Sequence, residues 1–190
     1  MKKLLILGGS SYLLPAIRAA HELGIYVITA DYLPDNIAHK YSDEYHNVSI
    51  IDKDAILQLA EDLQIDGIVS YATDPGVVVA AYVAEKLGLP TSPYESVKIL
   101  QNKGKFREFL RDNNFNVPYS ETFKEYSEVE LSKFKFPIIV KPVDSAGSKG
   151  VTRVDDETAL RAAFEYALKY SITGEVIIEE FIEKKGYSTD

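Results

Sequence analysis

The sequence predicts an α/β protein in which a Rossmann-like parallel sheet is followed by a small α+β unit. In residues 1–90, short and almost continuously apolar strands alternate with amphipathic helices, as in a doubly wound sheet that is buried on both faces. After Val117 the strands and helices become fewer and shorter, which is typical of a smaller α+β unit.

The N-terminal part contains four predicted strands and three predicted helices. The strands are expected at Lys3–Leu7, Tyr26–Ala30, Tyr45–Ser49 and Gly67–Ser70. The helices are expected at Leu13–Leu23, Asp54–Leu63 and Val77–Leu87. Gly24 and Gly88 follow two of these helices directly, where glycine commonly ends a helix. Ligands of such sheets bind at the carboxyl ends of the strands, and Gly8, Asp31 and Asp74 fall there.

Pro90 and Pro93 mark the boundary between the two parts. We predict a sheet domain at 1–92, linker helices at 93–116 and the small unit at 117–190. The linker contains one predicted helical stretch, Ser96–Asn113. The elements expected in the small unit are a short strand after Val117, a short helix near Glu128–Leu131, a strand ending at Lys141, a strand at Val151–Val154, a helix at Thr158–Tyr170 and a strand at Glu175–Phe181.

Composition excludes several classes of function. The chain of 190 residues is 46% hydrophobic and 26% charged, as in ordinary soluble globular proteins. It has no cysteine, which excludes disulfides and thiolate metal sites, and its three histidines leave little material for a histidine metal site. A net charge of −8 argues against a nucleic-acid or membrane partner. The apolar run Leu4–Leu7 is too short for a signal peptide or a membrane span, and we expect a cytoplasmic protein.

The segment from Phe136 to Val151 is the most informative part of the sequence. An apolar strand ends in Lys141, and the loop Ser145–Gly150 of small residues follows Pro142. A lysine supplies a point charge for phosphate oxygens, and a glycine-containing loop lets backbone N–H groups approach them closely. The spacing of a Walker A loop is absent. From the residues alone, a solvated lysine at a strand end and an ordinary surface turn remain alternatives.

Four segments, in this order, resemble the ATP-grasp superfamily, and most of all its carboxylate–amine ligases, relatives of biotin carboxylase, carbamoyl phosphate synthase and the purine-pathway ligases. These segments are Leu4–Ser10, Lys103–Arg107, Phe136–Val151 and Val176–Ile182. The resemblance covers nearly the whole chain. It implies a Rossmann-like pre-ATP-grasp domain followed by the small α+β lid subdomain of an ATP-grasp fold. Because Tyr187–Asp190 look like the beginning of another strand, we expect a truncated piece of a longer enzyme.

The resemblance implies a site for ATP. The residues that it assigns to the nucleotide are Lys105, Lys141, Ser145, Gly147, Ser148, Gly150, Glu179, Glu180, Phe181 and Ile182. The two lysines would contact the phosphates, the loop would cover them, and the backbone of the last four residues would bond the adenine edge. From the residues alone, Lys105 could be a surface cation of its helix, and the two glutamates could lie on a solvated edge strand. The resemblance also implies Mg²⁺, with its ligands beyond Asp190, and assigns no metal ligand within the chain.

One position departs from the family pattern. Family members commonly carry a glutamate that holds the ribose hydroxyls, and this chain has Gly186 at that position. Glu183 could take its place, or the ribose could be held less tightly. No catalytic residue is assigned.

The glycine loop after the first strand is a candidate site for an anion. Gly8, Gly9 and Ser10 precede a helix, whose N-terminus attracts negative charge. In the ligases that the chain resembles, this loop lines the site of the carboxylate substrate or bicarbonate. Asp74 could touch the same substrate or cap its own helix beside Pro75. A dinucleotide site is disfavoured because the G-x-G-x-x-G pattern is not satisfied.

The resemblance thus implies ATP binding as part of a ligase that joins a carboxylate to an amine, a thiol or ammonia through an acyl phosphate, of the carbamoyl phosphate synthase-like type. Its partners would be the small-molecule carboxylate and amine, and a homodimer could form through the N-terminal domain. Two alternatives remain open. The same scaffold could be a non-catalytic nucleotide- or metabolite-binding domain, or, with less support, an NAD-dependent oxidoreductase.

Overall fold

The computed structural model describes residues 1–183 of the chain. The chain forms two compact units, Met1–Lys98 and Ile99–Asp190. The predicted three-part division at 1–92, 93–116 and 117–190 stays a prediction. Within residues 1–183, every helix is too short or too polar to cross a membrane.

The first unit is built on a four-stranded parallel sheet. Its strands are β1 (Lys3–Leu7), β2 (Tyr26–Ala30), β3 (Glu44–His46) and β4 (Gly67–Val69), in the order β3-β2-β1-β4. Its helices are α1 (Leu14–Glu22), α2 (Lys53–Leu63) and α3 (Asp74–Lys86), and short 3-10 helices lie at Ser11–Leu13 and Ile37–Lys40. Helix α4 (Tyr94–Gln101) leads out of this unit.

Burial on both faces explains the continuous apolar strands. Leu5 and Leu7 of β1 pack with Ile56 of α2, whereas Ile6 packs on the opposite face with Ile17 of α1. All five side chains are essentially inaccessible to solvent. The prediction of a Rossmann-like, doubly wound sheet is therefore confirmed.

The second unit is built on an antiparallel sheet. It contains α5 (Lys103–Asp112), β5 (Ser120–Phe123), β6 (Ile138–Pro142), β7 (Thr152–Val154), α6 (Leu160–Tyr170) and β8 (Val176–Glu180). The strand order is β5-β8-β6-β7. Short 3-10 helices lie at Tyr126–Glu128, Leu131–Lys133 and Glu157–Ala159. This is the small α+β unit that the sequence predicts.

The two faces of this sheet differ in chemistry. On one face, Val140 and Ile178 pack against Phe164 of α6 in a buried core. Because side chains alternate along a strand and paired residues share a face, the other face carries Ile139, Lys141, Ile177 and Glu179. We call this second face, defined by those four residues, the site face.

The helical stretch predicted at Ser96–Asn113 is wrong in one respect. The chain forms two helices there, because Asn102 adopts an extended conformation between α4 and α5. Its side-chain oxygen accepts a hydrogen bond from the backbone N–H of Lys105, at 3.0 Å, and so caps the N-terminus of α5.

Candidate functional site

Three charged side chains meet on the site face. Glu179 accepts a hydrogen bond at Oε2 from Nε of Arg107, at 3.1 Å, and its Oε1 contacts Nζ of Lys141. The β6–β8 register places Glu179 opposite Ile139, so that Lys141 lies diagonally across the two strands. Only 8% of the Glu179 side chain is exposed, against 15% for Lys141 and 24% for Arg107. Two cations and one carboxylate leave this cluster with an excess positive charge.

The loop that follows β6 is anchored at its start by Asp144. The Asp144 carboxylate accepts hydrogen bonds from the backbone N–H groups of Ile172 and Thr173, at 3.0 and 2.7 Å. The hydroxyls of Ser171 and Thr173 donate to it as well, at 3.1 and 2.6 Å. The start of the loop is thereby tied to the turn between α6 and β8.

The same loop is anchored at its end by Gly150. This glycine has φ +75°, and a Cβ on it would lie 2.8 Å from Cγ of Pro142 and 3.2 Å from Cα of Ala167. The backbone therefore passes too close to β6 and α6 for any side chain. Gly147 and Ser148 also adopt positive φ, at +65° and +56°, and Gly147 has no neighbour that a Cβ would meet. The segment between the two anchors is short and turns sharply.

The structure brings Lys103, and not Lys105, to this loop. Nζ of Lys103 donates to the carbonyl of Ser145 at 2.8 Å, and its backbone N–H donates to the carbonyl of Val143 at the same distance. Lys105 is exposed and lines a cleft of about 390 Å³ together with Thr122 and Glu175. A phosphate contact by Lys105 stays a prediction. Asn102 is a residue type that favours the N-cap position, and this sequence signal indicates that α5 begins at Lys103.

Two backbone N–H groups at the end of β8 are already hydrogen-bonded within the protein. The N–H of Glu180 donates to the carbonyl of Tyr119 at 2.9 Å, and that of Phe181 donates to the carbonyl of Pro137 at 3.3 Å. The Phe181 ring lies under the guanidinium of Arg153, whose Cζ is 4.4 Å from the ring centroid. Ile182 is exposed. The predicted ribose position, Gly186, lies outside the described residues.

In the first unit, the glycine loop is shaped by the protein itself. Gly8 has φ +115° and donates its N–H to the carbonyl of Ala30 at 2.8 Å. A Cβ on Gly9 would lie 2.5 Å from Nε2 of His39 and 2.6 Å from Cβ of Asn36. Gly9 is thus required by packing against these two residues.

The other predicted residues of the first unit lie close to this loop. A Cβ on Gly8 would meet Oγ1 of Thr73 at 3.1 Å, so the residue before Asp74 adjoins the loop. Asp74 is the first residue of α3 and is exposed, with Pro75 in the first turn and Thr73 at the N-cap. Ser10 precedes the 3-10 helix and makes no side-chain capping bond.

A half-buried histidine that the sequence did not single out supports the loop. Nδ1 of His39 lies 2.9 Å from Oγ1 of Thr29, its Nε2 lies 3.2 Å from the carbonyl of Leu33, and its ring stacks on Tyr45 at 4.0 Å between centroids. Burial lowers the pKa of His39 below its ordinary value, outweighing the opposite effects of the Leu33 carbonyl and Asp31. Neutral His39 therefore holds the loop of Gly9 against β2.

Asp31 is committed to its own loop. Its two carboxylate oxygens accept from the N–H of Leu33 at 3.0 Å and from Nδ2 of Asn36 at 3.1 Å. An aspartate that holds the ribose of a dinucleotide needs its oxygens for the ligand. This arrangement gives no support to an NAD-dependent oxidoreductase. In the described part of the chain, residues 1–183, no group of three or more histidine or acidic side chains is placed to hold a metal ion.

Comparison with known protein families identifies the class. Residues 83–188 match the family model described as "D-ala D-ala ligase C-terminus", and residues 17–91 match the one described as "ATP-grasp N-terminal domain". The first match alone covers more than half of the chain. The chain belongs to the ATP-grasp superfamily, as its motifs predict.

Individual relatives agree with this assignment. A formate-dependent phosphoribosylglycinamide formyltransferase of Burkholderia vietnamiensis is 28% identical over 192 residues, which are 95% of this chain and 46% of that protein. The L-amino acid ligase from Bacillus licheniformis has a similar structure, with a TM-score of 0.73 and 26% identity over 96% of this chain and 44% of its own.

An ADP complex of N5-carboxyaminoimidazole synthetase from Staphylococcus aureus has a TM-score of 0.75 at 21% identity, and this similarity shows the fold alone. It covers 97% of this chain and 48% of that one. The chain therefore spans about half the length of these three relatives. The fold prediction of a Rossmann-like pre-ATP-grasp domain followed by an α+β lid subdomain is confirmed.

Proposed function

We propose that this chain supplies ATP-binding residues of an ATP-dependent ligase that joins a carboxylate to an amine, a thiol or ammonia through an acyl phosphate, of the carbamoyl phosphate synthase-like type. The observation that carries the proposal is the positively charged cluster of Lys141, Glu179 and Arg107 beside a loop anchored at both ends. The names of the relatives, a formyltransferase and an amino acid ligase, agree with bond formation at a small carboxylate.

The residues present fit a nucleotide triphosphate. The excess positive charge on the site face attracts phosphate oxygens. Lys103 adds a further cation next to the loop, because its ammonium group already contacts Ser145. Gly147 has open space where a Cβ would lie, so phosphate oxygens could approach its backbone closely. Ser145, Ser148 and Gly150 belong to the same loop. We assign the phosphates to this region.

The nucleoside would lie at the end of β8. The N–H groups of Glu180 and Phe181 are already bonded within the protein, so we assign the adenine edge to the carbonyl of Glu180 and the N–H of Ile182. Ile139 on the site face is half-buried and offers an apolar contact for a ring. Glu179 would contribute to the nucleotide site through its carboxylate, which contacts Lys141 and Arg107, and through its position in β8 beside Glu180.

When bound, ATP with its Mg²⁺ would supply the phosphoryl group that activates the carboxylate. The task of Lys141 and Lys103 is to neutralise the charge that phosphate oxygens bring, since catalysis of phosphoryl transfer is mostly positioning and electrostatic stabilisation. The loop from Ser145 to Gly150 would exclude water from the activated carboxylate. In the first unit, we assign the carboxylate substrate to Gly8, Gly9, Ser10 and Asp74.

The remaining parts of the proposal concern the whole protein. We assign no Mg²⁺ ligand to this chain, and we propose a cytoplasmic enzyme that can form a homodimer and acts on a small carboxylate and a small amine.

The test uses the complete gene product that contains this chain. It is incubated with MgATP, a panel of carboxylates and hydroxylamine, a nucleophile that traps acyl phosphates as hydroxamates. We expect ADP and a hydroxamate to appear together, and only with particular carboxylates. ATP binding without ADP release for any carboxylate would instead support the non-catalytic binding domain. Failure to bind ATP would refute both.

A further inference from the structure

Arg107 lies outside the strand and loop that carry the proposed phosphate site. It belongs to α5, and its Nε donates to the Oε2 of Glu179 at 3.1 Å, on the oxygen that Lys141 does not contact. Glu179 is almost fully buried, and each of its two carboxylate oxygens contacts a different cation. Sequence reasoning does not single out this arginine, because its contact with Glu179 joins positions far apart in the chain.

A charge count shows what Arg107 contributes. Without it, Lys141 and Glu179 would form a neutral pair that attracts a phosphate only weakly. A lysine that turned toward a phosphate would also leave a buried carboxylate unpaired, which is costly. With Arg107 in place, Glu179 keeps a partner and the cluster keeps one excess positive charge.

We propose that Arg107 is a positioning residue for nucleotide phosphates: it neutralises Glu179 and thereby leaves the charge of Lys141 available to a polyphosphate. This inference rests on the proposed function, because it takes Lys141 to be a phosphate ligand. Arginine suits the role, since its planar guanidinium stays charged and directs its N–H groups along fixed lines.

Arg111 provides a matched control. It lies one turn further along α5, and its Nη2 donates to the backbone carbonyl and the hydroxyl of Ser120, at 3.2 and 3.3 Å. It therefore attaches the same helix to the same sheet without touching Glu179. A variant of Arg111 reports on the attachment of α5, whereas a variant of Arg107 also removes a cation that is paired with Glu179.

The experiment measures the affinity of the complete gene product for ATP, ADP, AMP and adenosine by titration calorimetry. We expect Arg107→Gln to weaken ATP binding about 10- to 100-fold, the range for loss of one charged hydrogen-bond partner. The loss should decrease as phosphates are removed, and adenosine should bind as to the wild type. Arg111→Gln should bind ATP as the wild type does.

A second pair of variants remains informative even if Arg107→Gln does not fold. Removing both partners leaves no unpaired buried carboxylate, so the double variant Arg107→Gln/Glu179→Gln should fold. We expect Arg107→Gln to cost clearly less ATP affinity in the Glu179→Gln background than in the wild type, because a neutral side chain at 179 no longer needs Arg107. A loss in the Glu179→Gln background as large as in the wild type would mean that Arg107 acts on the phosphates directly, and would overturn the proposal.

Two other results also overturn it: an ATP affinity unchanged by Arg107→Gln, or an equal loss with adenosine. Failure of the proposed function looks different. In that case Lys141→Gln would leave ATP affinity unchanged, or the wild type would not bind ATP at all.

Discussion

Replacing Asp144 by alanine should loosen the proposed phosphate loop and destabilise the second unit. The change removes four hydrogen bonds to one carboxylate, from Ser171, Ile172 and twice from Thr173. A hydrogen bond to a charged group contributes about 1.5–3 kcal/mol when buried and less at the surface, and most of these donors are exposed, so we expect a total loss of about 2–4 kcal/mol.

The assay combines thermal unfolding with nucleotide titration. For a unit of this size, each kcal/mol lowers the melting temperature by about 4–8 °C. We also expect weaker binding of ATP, with adenosine unaffected, because the loop would contact only the phosphates.

The matched control is Asp156→Ala. Asp156 likewise accepts hydrogen bonds from a backbone N–H and a hydroxyl, both of Thr158, but it caps the 3-10 helix Glu157–Ala159. This variant should bind ATP like the wild type. The reasoning fails if Asp144→Ala unfolds at the wild-type temperature, or if it binds ATP with unchanged affinity.

Two further predictions concern the first unit. Gly9→Ala should lower the melting temperature more than Gly24→Ala, because a Cβ at Gly9 meets His39 at 2.5 Å, whereas Gly24 has φ +69° and open space around it; equal losses would contradict the packing argument. Burial lowers the pKa of His39 below 6.5, so the unfolded chain takes up the proton first as the pH falls. The stability that neutral His39 contributes to the folded state is present above pH 6.5 and lost below it. The melting temperature should therefore fall further between about pH 7.5 and 5.5 in the wild type than in His39→Gln. Parallel curves of melting temperature against pH would contradict this.

Much of the fold could be predicted from the sequence. The bounds of β1 and β2 are those of the predicted strands, because a buried parallel strand is a continuous apolar run with clear ends. The break at Asn102 was missed, since the apolar spacing of α4 continues into α5 and only a cap separates them.

The site was less accessible to sequence reasoning. Lys141 and its loop stand out because strand, lysine and glycines are neighbours in the chain. The sequence does not single out Arg107, Asp144 or His39. Each of them acts through hydrogen-bond partners that only the folded chain brings near. The choice between Lys103 and Lys105 likewise depended on where α5 begins.

The measurement that tests the account most directly is the ATP affinity of the complete gene product with Lys141→Ala. Arg107 still pairs with Glu179 in this variant, so the fold should persist. We expect ATP binding to weaken about 10- to 100-fold, while Lys169→Ala, in the last turn of α6, binds as the wild type does. An unchanged ATP affinity in a folded Lys141→Ala protein would contradict the assignment of the site.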